Sequence, residues 1–151
     1  MLDLAAEFEA VLSALAEHGI EYAVCGGLAM AIHGYPRATV DIDLLIRPED
    51  EERVYAAVLP LGYTFRAKPM HFDGGAMEIR RVSKVDPAGD TLMLDLLLVT
   101  AELEDVWHAR ELVEWDSGPI AVVSRQGLIK LKSGRMSGLD QDDIQKLRNE
   151  S

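Results

Sequence analysis

The sequence predicts an α/β (α+β) domain built on a mixed β-sheet flanked by helices. Three observations predict it. Segments with helical spacing and segments with strand patterning interleave along the chain, as helix-on-sheet architectures require. A Gly-Gly pair, Gly26-Gly27, joins a short apolar strand to a short helix. The run LMLDLLLV, from Leu92 to Val99, is apolar on both sides of its alternation, which marks a strand buried on both faces.

The elements follow in order. Leu4, Phe8, Val11, Leu12 and Leu15 keep helical spacing, and Gly19 is a natural stop. Ile20 to Cys25 is a short apolar strand, and Leu28 to His33 is a short helix closed by Gly34. Thr39 to Ile46 is the second strand. Pro48 opens the next helix, with Glu49, Asp50, Glu51 and Glu52 in its first turn, where acidic residues complement the helix dipole. Val54, Tyr55, Val58 and Leu59 form its apolar face, and Gly62 ends it.

Tyr63 to Ala67 and Ala76 to Val85 read as strands around a Gly74-Gly75 turn, with Met70 to Gly75 as a mobile loop over the site. Asp86-Pro87-Ala88-Gly89 is a turn, and Thr91 to Val99 is the apolar strand. Ala101 to Arg110 is a helix and Ile120 to Val123 a short strand. Gln126 to Lys132 and Asp140 to Arg148 read as two final helices around Ser133-Gly134, a helical ending over about residues 125–149. Residues 1–151 form one domain on this reading, with no repeat or linker.

Composition sets the class. The chain is 48% hydrophobic and 27% charged, ordinary for a globular domain with a core. No apolar run approaches the roughly 20 residues of a membrane helix. The start, MLDLAAEFEA, is acidic and lacks the basic n-region of a signal peptide. The single cysteine, Cys25, excludes an internal disulfide and fits a reducing, cytoplasmic setting. A net charge of −11 opposes non-specific nucleic-acid binding, which needs Lys and Arg against phosphate. It fits a protein that binds cations or docks on a basic partner, and equally a solvated acidic surface.

The chemistry concentrates between Val24 and Ile46. Asp41 and Asp43 stand at i and i+2 on a strand, so they share one face, roughly 6.5–7 Å apart along the chain. Gly26-Gly27 lets phosphate oxygens approach backbone N–H groups. Arg37 can contact phosphate, and Thr39 shares the strand face of Asp41 and Asp43. Asp95 sits inside the apolar strand, where an ionised carboxylate is costly unless it is paired or holds a metal. The plain alternatives are a solvated strand edge for Asp41 and Asp43, a salt bridge to a buried arginine or a place at the open end of the strand for Asp95, and a surface loop for Arg37 and Thr39. Three carboxylates suit Mg²⁺, which is bound through a few carboxylates together with substrate phosphates. Two such ions can activate an attacking oxygen and stabilise a leaving one. Asp41, Asp43 and Asp95 are therefore the candidate metal-binding and catalytic residues.

Gly26-Gly27-x-Ala29, His33-Gly34, Arg37-x-Thr39-x-Asp41-x-Asp43 and the later Asp95 together resemble the nucleotidyltransferase superfamily related to DNA polymerase beta. They are most similar to small bacterial proteins like the toxin component of abortive-infection (type IV) toxin–antitoxin pairs. The resemblance implies the nucleotidyltransferase fold and transfer of a nucleoside monophosphate from an NTP to a hydroxyl, with magnesium. It places the two-carboxylate motif on Asp41 and Asp43 and the third carboxylate on Asp95. Leu128-Ile129-x-Leu131-Lys132, Gly134-Arg135 and Asp140-x-x-Asp143-Ile144 resemble the helical ending of that group, which implies that Lys132 faces the triphosphate. Asp140 and Asp143 read as helix caps or braces.

The superfamily's usual Gly-Ser pair is Gly26-Gly27 here, a variant familiar in the toxin-like and antibiotic-modifying branches. The implied partners are an NTP and an antitoxin or helical protein. The implied acceptor is an RNA, a protein or an antibiotic hydroxyl. A non-catalytic nucleotide- or partner-binding module is the competing class. Cys25, His33 and the tryptophans Trp107 and Trp115 read as packing residues.

Overall fold

In the computed structural model, which describes residues 2–35, 41–135 and 144–148, the chain opens with helix α1 (Leu4–Glu17). Asp3 caps it by accepting the N–H groups of Ala5 and Ala6 at 3.1 and 3.4 Å, donors that a helix start leaves without intrahelical partners. Strand β1 (Ala23–Cys25) runs straight into helix α2 (Gly26–Ile32). The corner fits because Gly26 adopts φ +66°, a left-handed conformation that glycine takes at little cost. Strand β2 (Asp41–Ile46) leads through a single turn at Pro48–Asp50 to helix α3 (Glu51–Val58).

Two short strands, β3 (Phe65–Arg66) and β4 (Met70–Phe72), precede the long hairpin of β5 (Met77–Val85) and β6 (Thr91–Leu98). Helix α4 (Glu104–His108) is followed by a second hairpin, β7 (Glu111–Trp115) and β8 (Gly118–Val122), and by helix α5 (Arg125–Arg135). A helical turn covers residues 144–148.

The strands form one mixed sheet in the order β3-β5-β6-β2-β1-β8-β7, with β4 also on β5. β2 runs parallel to β6, and β1 runs parallel to β8; the other pairs are antiparallel. Register partners project to the same side of a sheet, so the strand pairings build rows across it. One row joins Ile79, Leu97, Leu45 and Ala23. The next joins Arg81, Asp95, Asp43 and Cys25. The third joins Ser83, Met93 and Asp41. The first row is apolar and buried, and the polar residues begin one pleat further along.

Helices cover both faces. On the face opposite these rows, Lys84 pairs with Glu7 of α1 at 2.9 Å, and Arg80 lies 3.5 Å from Glu51 of α3. Tyr63, 1% exposed, donates its hydroxyl to Glu7 at 2.9 Å, so the buried phenol is satisfied as such groups must be. On the face of the rows, Leu128 and Leu131 of α5 pack beside Leu97. A side chain at Gly127 would instead meet α4 and the segment before α5, with a Cβ at 2.8 Å from Val123 Cγ1 and 2.9 Å from Val106 Cγ1. Gly127→Ala gains roughly 1 kcal/mol of helix propensity but overpacks the core by about 1–3 kcal/mol. A fall of a few degrees in Tm by circular dichroism is the expected outcome; a rise would mean that the two valines yield.

The α/β class and the mixed sheet match the expectation, and the differences are local. Met70–Phe72 is strand β4, paired to β5 from Met70↔Ile79 to Phe72↔Met77, and not a mobile loop; His71 also pairs with Glu78 at 2.9 Å. Glu111–Trp115 forms edge strand β7 where no element was expected. Ser133 and Gly134 do not break the last helix, because α5 continues to Arg135. Arg37, Thr39, Asp140 and Asp143 lie outside the described residues. No helix among the described residues is long and apolar enough to cross a membrane.

Candidate active site

The second row is the candidate site. β2 brings Asp41 and Asp43 to one face, and its parallel pairing with β6 sets Asp43 directly beside Asp95. Asp95 is 6% exposed. Leu94 and Leu96, which flank it along the strand, are fully buried on the opposite face and fix the pleat on which it stands. Asp41 lies one pleat further, beside Met93, toward the more open end of the rows.

Gly26 closes the row on the β1 side. A Cβ at this position would stand 2.6 Å from Cγ and 2.8 Å from Cβ of Asp43. Only a residue without a side chain leaves room for the carboxylate there, and the same residue supplies the left-handed corner into α2. Gly27 is buried within the first turn of that helix. Lys132 comes from α5 with Leu128 and Leu131, positions i, i+3 and i+4 that share a helix face. It is 3% exposed and lines one pocket with Cys25, Gly26 and Asp43. A buried ammonium is costly unless opposite charge lies near, and Asp43 supplies such a charge in that pocket.

Arg81 closes the row on the β5 side. It is the register partner of Asp95, and its guanidinium grips that carboxylate with two bonds, Nε to Oδ1 at 2.7 Å and Nη2 to Oδ2 at 2.9 Å. The hydrogen bond to Asp95, with the charges of Asp95, Asp41 and Asp43, raises the Arg81 pKa above its ordinary value, although burial opposes this. All three carboxylates therefore act on one guanidinium. Arg81 is the site residue that sequence reading missed. The salt bridge to an arginine was the plain alternative for Asp95, but nothing in the strand pattern said which arginine.

Cys25 and His33 flank α2, and Trp107 and Trp115 pack elsewhere in the domain. Cys25 is buried at the N-terminal end of α2. His33 Nε2 lies 2.9 Å from the backbone oxygen of Val123, which ties the end of α2 to the segment before α5. Trp107 is buried beneath Arg110, whose guanidinium carbon lies 4.0 Å from the ring centroid. Trp115 stacks edge-on against Phe8 at 5.9 Å.

The donor set decides what metal the row can take. The three carboxylates offer hard oxygen ligands, suited to Mg²⁺ or Mn²⁺ rather than to zinc. Among the described residues no three of His, Cys, Asp or Glu converge as a complete metal cage. Mg²⁺ does not need one, since one or two carboxylates with substrate phosphates are its usual protein-side ligands. Asp41 and Asp43, side by side on one face, fit that role, with Asp95 adjacent and held by Arg81.

Sequence comparison places the chain in a family. Residues 2–124 match a family of uncharacterised nucleotidyltransferases, and the chain belongs to that family. The matched stretch ends just before α5 and so does not include Lys132. No curated protein matches the chain in sequence.

Among solved structures, ANT(2")-Ia in complex with adenylyl-2"-tobramycin is similar in fold, with TM-score 0.66, 15% identity, and coverage of 94% of this chain and 85% of that one. The lincosamide antibiotic adenylyltransferase LnuA, lincomycin-bound, has TM-score 0.56 and 14% identity over 91% of this chain and 92% of its own. An antigenic nucleotidyltransferase-like protein from Paracoccidioides brasiliensis has TM-score 0.57 and 20% identity over 91% and 72%. At these identities the likeness is one of fold.

Proposed function

We propose that the chain is a magnesium-dependent nucleotidyltransferase that moves a nucleoside monophosphate from an NTP to an acceptor hydroxyl. The observation that carries the reading is the single row in which Asp43 and Asp95 stand in register, with Gly26 pressed on Asp43 and Lys132 in the same pocket. Asp41 and Asp43 would hold the metal beside the triphosphate. When bound, the metal supplies Lewis-acid stabilisation of the developing phosphoryl charge. Gly26-Gly27 leave the backbone open to phosphate oxygens, and Lys132 donates from Nζ to the triphosphate. Arg37 and Thr39, between α2 and β2, are the further phosphate-side candidates. Asp95 orients the acceptor hydroxyl. That oxygen attacks the α-phosphorus in line, a new P–O bond forms as the bond to pyrophosphate breaks, and the hydroxyl proton leaves with the solvent. The acceleration then comes from positioning and charge stabilisation.

The acceptor class favoured here is a small hydroxyl-bearing molecule. Two fold neighbours carry an adenylylated aminoglycoside and a lincosamide, and the net charge of −11 attracts a cationic acceptor. The sequence resemblance supports a second acceptor class, RNA or protein, with the chain as the toxin of a toxin–antitoxin pair. A thermal-shift titration with each NTP, with and without Mg²⁺, tests the reading on wild type and on Asp41→Asn/Asp43→Asn. A ligand that binds the native state at a hundredfold over its Kd stabilises by about 2.7 kcal/mol, a shift of several degrees. Metal-dependent stabilisation by an NTP, absent in the double variant, is expected. No shift with any NTP would overturn the nucleotide site in this chain. Metal-dependent binding without turnover on aminoglycoside, lincosamide, tRNA or protein would instead mark a nucleotide-binding module.

A further inference from the structure

The row of carboxylates already contains a cation. Arg81 Nε and Nη2 bond both oxygens of Asp95, which stands in register with Asp43 on the strand face that Asp43 shares with Asp41. We propose that Arg81 is the resident counter-cation of the acidic row: a positioning residue that fixes Asp95 in the metal-free protein and against which a divalent cation must compete. This inference rests on the nucleotidyltransferase reading of the same three carboxylates.

Two features support it beyond the salt bridge itself. First, the cross-strand geometry leaves Asp95 nowhere else to go. It is flanked in the row by Asp43 on β2 and Arg81 on β5, one like charge and one opposite, and directly opposed like charges destabilise a strand pair. Second, the two partners differ in freedom. The Asp95 side chain is 8% exposed, whereas the Arg81 side chain is 32% exposed. A short buried carboxylate is held in place. A long arginine at the margin can turn its head group toward solvent while its stem still covers apolar surface. The pair therefore behaves as a fixed anion with a removable cation.

The consequence is a site stable without metal and selective about when it loads. A divalent ion arriving alone meets carboxylates whose charge is partly answered by Arg81. An ion arriving with a triphosphate brings phosphate ligands of its own, and those phosphates offer the displaced guanidinium a new bidentate partner.

Mn²⁺ is the probe, with binding to the wild-type chain, Arg81→Gln and Arg81→Lys followed by electron paramagnetic resonance and by the shift in Tm against EDTA. Arg81→Gln is expected to bind Mn²⁺ alone at least about tenfold more tightly, since a unit positive charge within a few ångströms has been removed. It is also expected to melt lower than wild type in EDTA and to recover that loss with Mn²⁺. Arg81→Lys keeps the charge but loses the planar fork, so its Mn²⁺ affinity should stay within a few-fold of wild type. If Arg81→Gln loses stability equally with and without Mn²⁺, and its affinity is unchanged or weaker, Arg81 is a brace only and the inference is overturned. That failure is separable from failure of the parent reading. Wild type that binds Mn²⁺-NTP through Asp43 keeps the reading whatever Arg81 does. Wild type that binds neither Mn²⁺ nor Mn²⁺-NTP overturns both.

Discussion

Asp43→Asn is expected to reduce nucleotidyl transfer by on the order of 10³-fold or more while leaving the fold intact. The substitution is nearly isosteric, so the close fit between this side chain and Gly26 is preserved. What changes is charge. Asp43 is the carboxylate that links the other two, with Asp95 beside it in register and Asp41 two residues before it on the same strand face. Removing one anionic ligand forfeits several kcal/mol of metal-mediated stabilisation, and each 1.36 kcal/mol is a factor of ten in rate. Stability should change little, because relief among three neighbouring like charges is set against the loss of the anion that Asp43 supplies in the pocket of buried Lys132. Pyrophosphate release with an active acceptor gives the rate, and thermal unfolding gives the stability. Full activity in Asp43→Asn would sink the assignment of the site.

Gly26→Ala has the largest expected effect on the structure around the site. Two costs add. The residue sits at φ +66°, and a non-glycine residue in such a conformation costs on the order of 1–3 kcal/mol. The added methyl also falls on the Asp43 carboxylate, and overpacking of this kind costs about 1–3 kcal/mol more. For a domain of this size each kcal/mol lowers Tm by roughly 2–4 °C, so a drop of about 10 °C is reasonable to expect. The informative part is what nucleotide does next. The clash pushes Asp43 out of the row, so the metal-dependent shift with NTP should vanish even at temperatures where circular dichroism shows a folded chain. A folded Gly26→Ala variant that still binds Mg²⁺-NTP normally would show that the carboxylate does not need its present position.

Much of this site was legible in the sequence because it is written in local patterns. Asp41 and Asp43 alternate with Ile42 and Leu44, which gives a strand and puts both acids on one face. Asp95 stands out as one charge in a run of apolar residues. Gly26-Gly27 falls where a strand must turn into a helix. What stayed hidden is register. Nothing local says that Asp43 lies beside Asp95 and not beside Leu94, or that Arg81 and not Arg80 meets Asp95, because register is set between strands and a one-residue slip would exchange the faces. Edge strands were hidden for a different reason. In β7, Glu111, Leu112, Glu114 and Trp115 are all exposed and only Val113 is partly covered, so no alternation of burial was imposed on the sequence. β4 is three residues long and mostly exposed. The last helix ran past Ser133-Gly134 because Leu128, Ile129 and Leu131 anchor it to the core, and that packing outweighs the roughly 1 kcal/mol propensity cost of a helical glycine.

The parallel pairing of β2 with β6 also has a kinetic meaning. It couples Asp41–Ile46 to Met93–Leu98, partners about fifty residues apart, and no hairpin can form that contact early. Loop-closure entropy must be met before the pairing returns any stabilisation. The residues at the heart of the row thus come together only when β1, β2, β5 and β6 have all joined. A chain caught partway, such as one emerging during synthesis or recovering from heat, has helices and hairpins but no place for a nucleotide. Nucleotide-induced protection from proteolysis should then appear in refolding as late as the slowest phase, making ligand capture a clock for the final closure of the sheet.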